Sequence, residues 1–287
     1  MSGRVLITGG TGNTGRRIAT RLGELGVSVR VASRGAPGTG GDHVAFDWAD
    51  PATHGPALSG VDRVYLVAPG NVEDPSPLMV PFLERALANG VGRFVLLSSS
   101  AIPEGAPGLG MVDRFLRERA PGFAILKPSW FMQNFVDPKH PHAASLIGEG
   151  KVVTSTGAGR VGFVDADDIA EVAVRALVDE ASHDTAHVIT GPEALDYAQV
   201  AAILGRVSGR PMRHVHVDDD EARRRLMAAG IPERYAALLV GLDAAIRAGA
   251  EDRVTETVLR VTGRAPRSFE AFAQAHGQVF RGGDGAG

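Results

Sequence analysis

Arg4-Val5-Leu6-Ile7-Thr8-Gly9-Gly10-Thr11-Gly12-Asn13-Thr14-Gly15 is the stretch that decides the fold. Val5, Leu6 and Ile7 put no polar residue on either side, the pattern of a strand buried on both faces of a parallel sheet. Ile18, Leu22 and Leu25 then recur at helical spacing. Between strand and helix, Gly9, Gly12 and Gly15 form G-x-x-G-x-x-G, while Gly10, Gly12 and Gly15 also satisfy G-x-G-x-x-G. Glycine permits the tight turn and lets backbone amides approach a pyrophosphate. The amino end of the helix adds unpaired N–H groups and the positive end of its dipole. Because the glycines follow a strand and open a helix, a bound dinucleotide is expected. A triphosphate-binding P-loop is excluded, since no Gly-Lys-Ser/Thr follows.

Composition narrows the function classes. The 287 residues are 44% hydrophobic, enough for a large core or for a nucleotide-binding domain with a smaller lobe. A net charge of -3 gives no reason to expect nucleic acid or an anionic membrane as partner. There is no cysteine, hence no disulfide, thiolate nucleophile or iron–sulfur ligand. The first strand starts almost at Met1, leaving no room for a signal peptide, and no apolar run reaches membrane-spanning length. A cytoplasmic protein is expected.

Outward from the glycines, strands are expected at Val27–Ala32, His43–Phe46, Val61–Val67, Arg93–Leu97, Phe123–Leu126 and His187–Thr190, with helices at Pro77–Asn89 and Met111–Arg119 and a loop over 35–41. Such alternation argues for an α/β fold, a Rossmann-type doubly wound parallel sheet, with a smaller α/β substrate lobe. The second strand ends in Ser33-Arg34, where an acidic residue would mark NAD; a hydroxyl and a guanidinium suit a 2′-phosphate instead, so NADP(H) is favoured. Asp47, with Trp48 beside it, is placed to accept an adenine amino hydrogen bond or to cap the next turn. Pro128-Ser129-Trp130-Phe131-Met132-Gln133-Asn134-Phe135 mixes rings with amides, as a pocket wall or as the start of a packing helix. His140 and His142 lack a third ligand at a telling spacing, so no metal is assigned. Asp165, Asp167 and Asp168 read as caps of the helix that carries Ile169, Val172, Ala173, Ala176 and Leu177. Later, Asp196 and Gln199 form a capping box, and helices follow at Glu221–Ala229, Pro232–Ala248 and Ser268–Ala275. The expected division is 1–128 plus about 151–191 for the cofactor domain, about 129–150 and 192–275 for the substrate lobe, and a flexible tail over 276–287.

Several of these pieces together resemble the NmrA-like atypical short-chain dehydrogenase/reductases, near the ergot-alkaloid reductases and NADPH-dependent quinone reductases. They are Thr8 to Gly15, Val31-Ala32-Ser33-Arg34, Phe94 to Ser99, Lys127 to Phe135, Phe163 to Ala170 and Thr262 to Phe269. The resemblance implies that Gly9, Thr11, Gly12, Asn13, Thr14 and Gly15 lie on the pyrophosphate, Ser33 and Arg34 on the 2′-phosphate, and Asp47 and Trp48 at the adenine edge. It further implies that Val67, Ala68, Pro69, Ser98 and Ser99 line the nicotinamide side, with Pro128 beyond. Trp130, Phe131, Gln133, Asn134 and Phe135 are the candidate substrate contacts.

The typical short-chain dehydrogenase protonates its product with a tyrosine that has a lysine four residues later. Tyr65, Tyr197 and Tyr235 have no such lysine, and Met111–Arg119 contains neither residue type. Ser99 is the remaining candidate catalytic hydroxyl, with a strand-end hydrogen bond as its competing role. The reading is an NADPH-dependent reductase passing a hydride to a conjugated carbonyl, quinone or imine/iminium of a small aromatic or conjugated molecule. The alternatives are a non-enzymatic NADP(H)-sensing regulator and a non-reductive enzyme, an epimerase or cyclase, on the same scaffold.

Overall fold

The computed structural model describes residues 3–35, 41–70 and 72–280. Among them nine strands form two sheets: β1 (Arg4–Thr8), β2 (Ser28–Ser33), β3 (Asp42–Ala45), β4 (Val61–Leu66), β5 (Arg93–Leu97), β6 (Phe123–Pro128), β7 (Lys151–Thr154), β8 (Thr185–Ile189) and β9 (Arg213–His216). The helices are α1 (Asn13–Glu24), α2 (His54–Leu58), α3 (Ser76–Ala88), α4 (Leu109–Arg119), α5 (Pro141–Glu149) and α6 (Ala166–Val178). After them come α7 (Tyr197–Ser208), α8 (Asp219–Ala228), α9 (Glu233–Arg247), α10 (Thr257–Thr262) and α11 (Phe269–His276).

The chain divides into two compact units. The first comprises Met1–Pro128, Ala166–Ile189 and Arg260–Gly263, and the second Ser129–Asp165, Thr190–Leu259 and Arg264–Gly287. This corrects the expected boundaries: 151–165 belong to the second unit, because β7 pairs with β9 rather than with the large sheet.

In the first unit seven strands run parallel in the order β3-β2-β1-β4-β5-β6-β8. The order reverses between β1 and β4, so the carboxyl ends of these two strands flank the crevice in which open α/β sheets bind ligands. β1 is buried from Val5 to Thr8, as its unbroken apolar run requires. Ile18 and Leu22 bury one face of α1, whereas Leu25 lies just past its end and is exposed. On α3 the buried set is Met79, Phe82, Leu83 and Ala86. Phe82 meets Phe46 and Trp48 edge-on, with ring centroids 5.3 and 5.2 Å apart.

One polar group was not expected inside this unit. The Nζ of Lys127, on β6, lies 3.0 Å from Asp113 on α4 and donates to the carbonyl of Ile102 at 3.0 Å. Arg117 donates to the same carboxylate at 2.7 Å. Asp113 is fully buried and Lys127 nearly so, and each is tolerated there because the other neutralises it. At the opposite helix, Asp167 in the first turn of α6 takes ion pairs from Arg17 at 3.1 Å and Arg21 at 2.8 Å.

The second unit is built around aromatic rings. Phe135 packs edge-on against Phe163 and Phe269, with centroids 5.2 and 5.4 Å away, and Tyr197 closes the same cluster. The capping box forms: the Asp196 carboxylate accepts the Gln199 N–H at 2.7 Å, and the Gln199 side chain accepts the Asp196 N–H at 3.0 Å. Pro232 sits at the cap of α9 rather than in its first turn. α5 escaped the sequence reading because Pro138, Pro141 and two glycines frame it, yet Pro141 occupies a first-turn position that needs no N–H. Of the expected tail, Gly277–Phe280 is instead a 3-10 turn with Phe280 buried, and 281–287 lie outside the described residues, as do 36–40 of the expected loop.

Phe82→Ala removes the ring that meets Phe46 and Trp48 and should cost about 3–5 kcal/mol of stability. Urea unfolding followed by tryptophan fluorescence checks this; an unchanged midpoint would refute the role given to the ring.

Candidate functional site

The turn after β1 is closed by contacts only glycine allows. Gly9 has φ +60°, and its carbonyl accepts the Gly12 N–H at 2.9 Å. A Cβ on Gly15 would stand 2.4 Å from the Gly9 carbonyl oxygen, and one on Gly10 would stand 2.6 Å from Val31 Cγ1. Gly12 is exposed and caps α1 with no side-chain hydrogen bond, which leaves the amino end of the helix open. Thr8 ties the crevice together: its hydroxyl donates to the Tyr65 carbonyl at 3.1 Å and accepts the Val67 N–H at 2.8 Å. At the end of β5 the Ser98 hydroxyl is buried without a hydrogen-bond partner among the described residues. A glycine cradle, an uncapped helix start and an orphaned hydroxyl fit a dinucleotide with its pyrophosphate on α1.

Burial re-sorts the other candidates. The Thr14 hydroxyl is buried and accepts the Tyr65 hydroxyl proton at 2.9 Å, so its side chain is taken up by the protein. Thr11 is exposed and Asn13 half-buried at the helix start. Ser33 is half-buried and Arg34 exposed just beyond β2. Trp48 is a core residue whose indole N–H donates to the Val67 carbonyl at 3.1 Å; it positions Val67 rather than presenting a polar edge. Asp47 accepts the Ala49 N–H at 2.9 Å, the turn-capping alternative. Val67, Ala68 and Pro69 are half-buried past β4, while Pro128 is buried within β6. The Ser99 hydroxyl accepts the Ala101 N–H at 3.2 Å, its strand-end role, and keeps its own proton for donation.

In the second unit, Trp130 and Asn134 line a cavity of about 730 Å³, a volume typical of small-molecule sites. The segment is held by Val164, which donates to the Trp130 carbonyl and accepts the Met132 N–H, both at 2.9 Å. Phe135 and Gln133 do not belong to the cavity wall, which corrects the expectation for both. Phe135 is sealed in the aromatic core, and Gln133 donates to buried Asp165 at 2.7 Å, beside Arg267 on the other carboxylate oxygen. Asp165 therefore anchors two segments, not only the helix that follows it. Phe131 is half-buried and is not among the lining residues.

The sequence reading missed the rest of the wall. Tyr235, Leu239 and Leu242 recur along α9, and Ala222, Arg225, Leu226 and Ala229 along and just past α8. Their spacing marks one face of each helix; the only signal in the sequence is that Asp243 interrupts the apolar stripe. His140 and His142 also line the cavity. Burial pushes His140 down to about 4, and burial with His140 and His214 nearby pushes His142 down to about 3. Both are neutral at neutral pH. No group of metal-ligating side chains occurs among the described residues, and no helix there is long and apolar enough to cross a membrane.

Comparison with known proteins agrees with the crevice. The family described as NAD(P)H-binding matches residues 9–180. An uncharacterised oxidoreductase, YesF, of Bacillus subtilis strain 168 is 47% identical over 274 residues, 95% of this chain and 94% of that protein. Agroclavine dehydrogenase of Claviceps fusiformis is 37% identical over 96% of this chain and 98% of its own. Among solved structures, the Escherichia coli NADPH-dependent quinone oxidoreductase QOR2 complexed with NADPH superposes with a TM-score of 0.81 at 18% identity, covering 94% of this chain and 99% of that one. The last of these shows the fold alone.

The depressed histidines set an acid dependence. His140, His142 and His187, the last also pushed down to about 4 by burial, take up protons only on unfolding once the pH falls below the ordinary histidine value. Stability is therefore full above pH ~6.5 and falls toward pH ~4, each group contributing at most about 1.4 kcal/mol per pH unit. His142→Phe should flatten this slope in urea titrations at pH 7, 6 and 5; an unaltered slope would count against the burial of His142.

Proposed function

The chain belongs to the NmrA-like NAD(P)H-binding family and is an oxidoreductase, and from that premise we propose that it reduces flat conjugated organic molecules with NADPH. The finer reading is hydride transfer to an iminium, imine, quinone or conjugated carbonyl carbon. Agroclavine dehydrogenase, a clear relative by sequence, and quinone oxidoreductase QOR2, alike in fold, support the substrate class by analogy. The observation that carries the mechanism is the fate of the tyrosines. Tyr65 is buried and spends its hydroxyl on Thr14, and burial raises its pKa. Tyr197 is sealed in the second unit, where burial likewise raises it. Lys127 is locked to Asp113 and Ile102. Tyr235 lines the cavity of the second unit, but no lysine is among the lining residues, so no Tyr/Lys pair forms there and the acceptor that suits the site is one electrophilic enough to take hydride with little help from an acid.

The roles then divide as follows. Gly9, Thr11, Gly12, Asn13, Thr14 and Gly15 hold the pyrophosphate through backbone N–H groups at the start of α1. Ser33 and Arg34 hold the 2′-phosphate, and Val67, Ala68, Pro69 and Ser98 orient the nicotinamide. The bound nicotinamide supplies the hydride. Trp130 and Asn134 hold the acceptor in the cavity of the second unit, and Ser99 is the available hydroxyl donor. Orientation and exclusion of water then provide the rate.

Arg34→Ala should weaken NADPH by about tenfold or more and leave NADH unchanged, the size of a lost charge-assisted hydrogen bond. Fluorescence titration with both cofactors checks it, and equal loss for both refutes the assignment. The decisive measurement for the whole reading is NADPH oxidation against a panel of quinones, imines and iminium ions; tight NADPH binding without oxidation by any of them overturns it.

A further inference from the structure

Within the cavity of the second unit, one charge is left uncommitted. Asp243, on the lining face of α9, uses Oδ2 to accept the Ser155 backbone N–H at 2.9 Å and its hydroxyl at 3.4 Å. Oδ1 accepts no hydrogen bond and is not among the sealed, unpartnered atoms of the described residues, so it stays accessible. Asp243 forms no ion pair among the described residues. The other charges of the wall are spoken for: Glu149 pairs with Lys151 at 3.1 Å and Arg225 with Glu221 at 2.8 Å. Arg247, near Asp243, is held by Asp219 at 3.0 Å and donates to the Ser155 carbonyl. Burial keeps His140 and His142 neutral. A half-buried carboxylate, fixed by Ser155 and lacking a cation, therefore faces a cavity that also offers the rings of Trp130 and Tyr235.

From this geometry we infer that Asp243 determines acceptor specificity, selecting flat cations such as an iminium or an N-alkylated aromatic ring over neutral molecules of the same size. This rests on reading the cavity as the acceptor site of the proposed reductase. Holding an anion out of water is costly unless a cation joins it, and aromatic faces add attraction for the same charge. Burial already raises the carboxyl of Asp243, with nearby Asp219 adding to the rise against the opposing Ser155 bonds and Arg247. The chemistry agrees. Adding hydride to an iminium carbon forms a C–H bond, returns the C=N π pair to nitrogen and gives a neutral amine with NADP+. No proton is consumed, so the step asks no acid of the cavity wall. The product has lost the charge that Asp243 holds, and its release is eased.

The test is calorimetric titration of the full chain, saturated with NADP+, by N-methylquinolinium and by its neutral isostere 1-methylnaphthalene. Wild type should prefer the cation, and added salt should erode that preference. Asp243→Asn should weaken the cation by about tenfold or more without weakening the neutral ring, whereas Asp243→Glu should keep the preference. Equal binding of the two probes to wild type, or undiminished cation affinity in Asp243→Asn, overturns the inference. Because NADP+ allows no turnover, this result is separate from the reductase reading, which fails only if NADPH is oxidised by no acceptor.

Discussion

The structure of the first unit depends on a close approach. α1 lies so near the turn after β1 that a methyl group on Gly15 would be driven to 2.4 Å from the Gly9 carbonyl. Such proximity aims the amino end of the helix at the crevice, and brings Thr14 to the Tyr65 hydroxyl. Thr8 completes the lock by bonding both the carbonyl of Tyr65 and the N–H of Val67. Three short contacts thus fix the junction of β1, β4 and α1, where the strand order reverses. An anion site made of backbone groups demands this rigidity, since a backbone N–H cannot re-aim itself as a side chain can.

Burial does the remaining sorting, and does so against expectation in several places. Trp48, Gln133 and Phe135 have side chains that suit ligand contact, yet each is consumed by the protein: Trp48 by Phe82 and the Val67 carbonyl, Gln133 by Asp165, Phe135 by a ring cluster. A ring serves a pocket or a core equally well, and local sequence does not tell which. Trp130 and Asn134, two neighbours in the same run, do line the cavity.

Charge follows the same logic. Lys127 looks available in the sequence, but Asp113 and the Ile102 carbonyl hold it inside the first unit. Asp165 looks like a cap, but it accepts hydrogen bonds from Gln133, 32 positions before it, and from Arg267, 102 positions after it. Asp243 looks like an ordinary acid on a helix, yet it lines a cavity with only one of its two carboxylate oxygens hydrogen-bonded. Ion pairs between distant residues decide which charges remain for a ligand, and pairing is a property of the fold.

What the amino-acid sequence determined by itself is the cofactor half. The run from Arg4 to Gly15 carries its meaning locally, because a buried strand, a glycine turn and a helix start are adjacent in the chain and set by short-range geometry. The Asp196–Gln199 capping box is equally local, and the missing Tyr/Lys spacing is visible without coordinates. Only the tertiary structure decided that 151–165 belong to the second unit, where β7 pairs with β9, that a helix, α5, starts at Pro141, and that faces of α8 and α9 line a cavity. Those features join residues scores of positions apart, and no local pattern encodes which side chains a folded chain brings together or leaves unpaired.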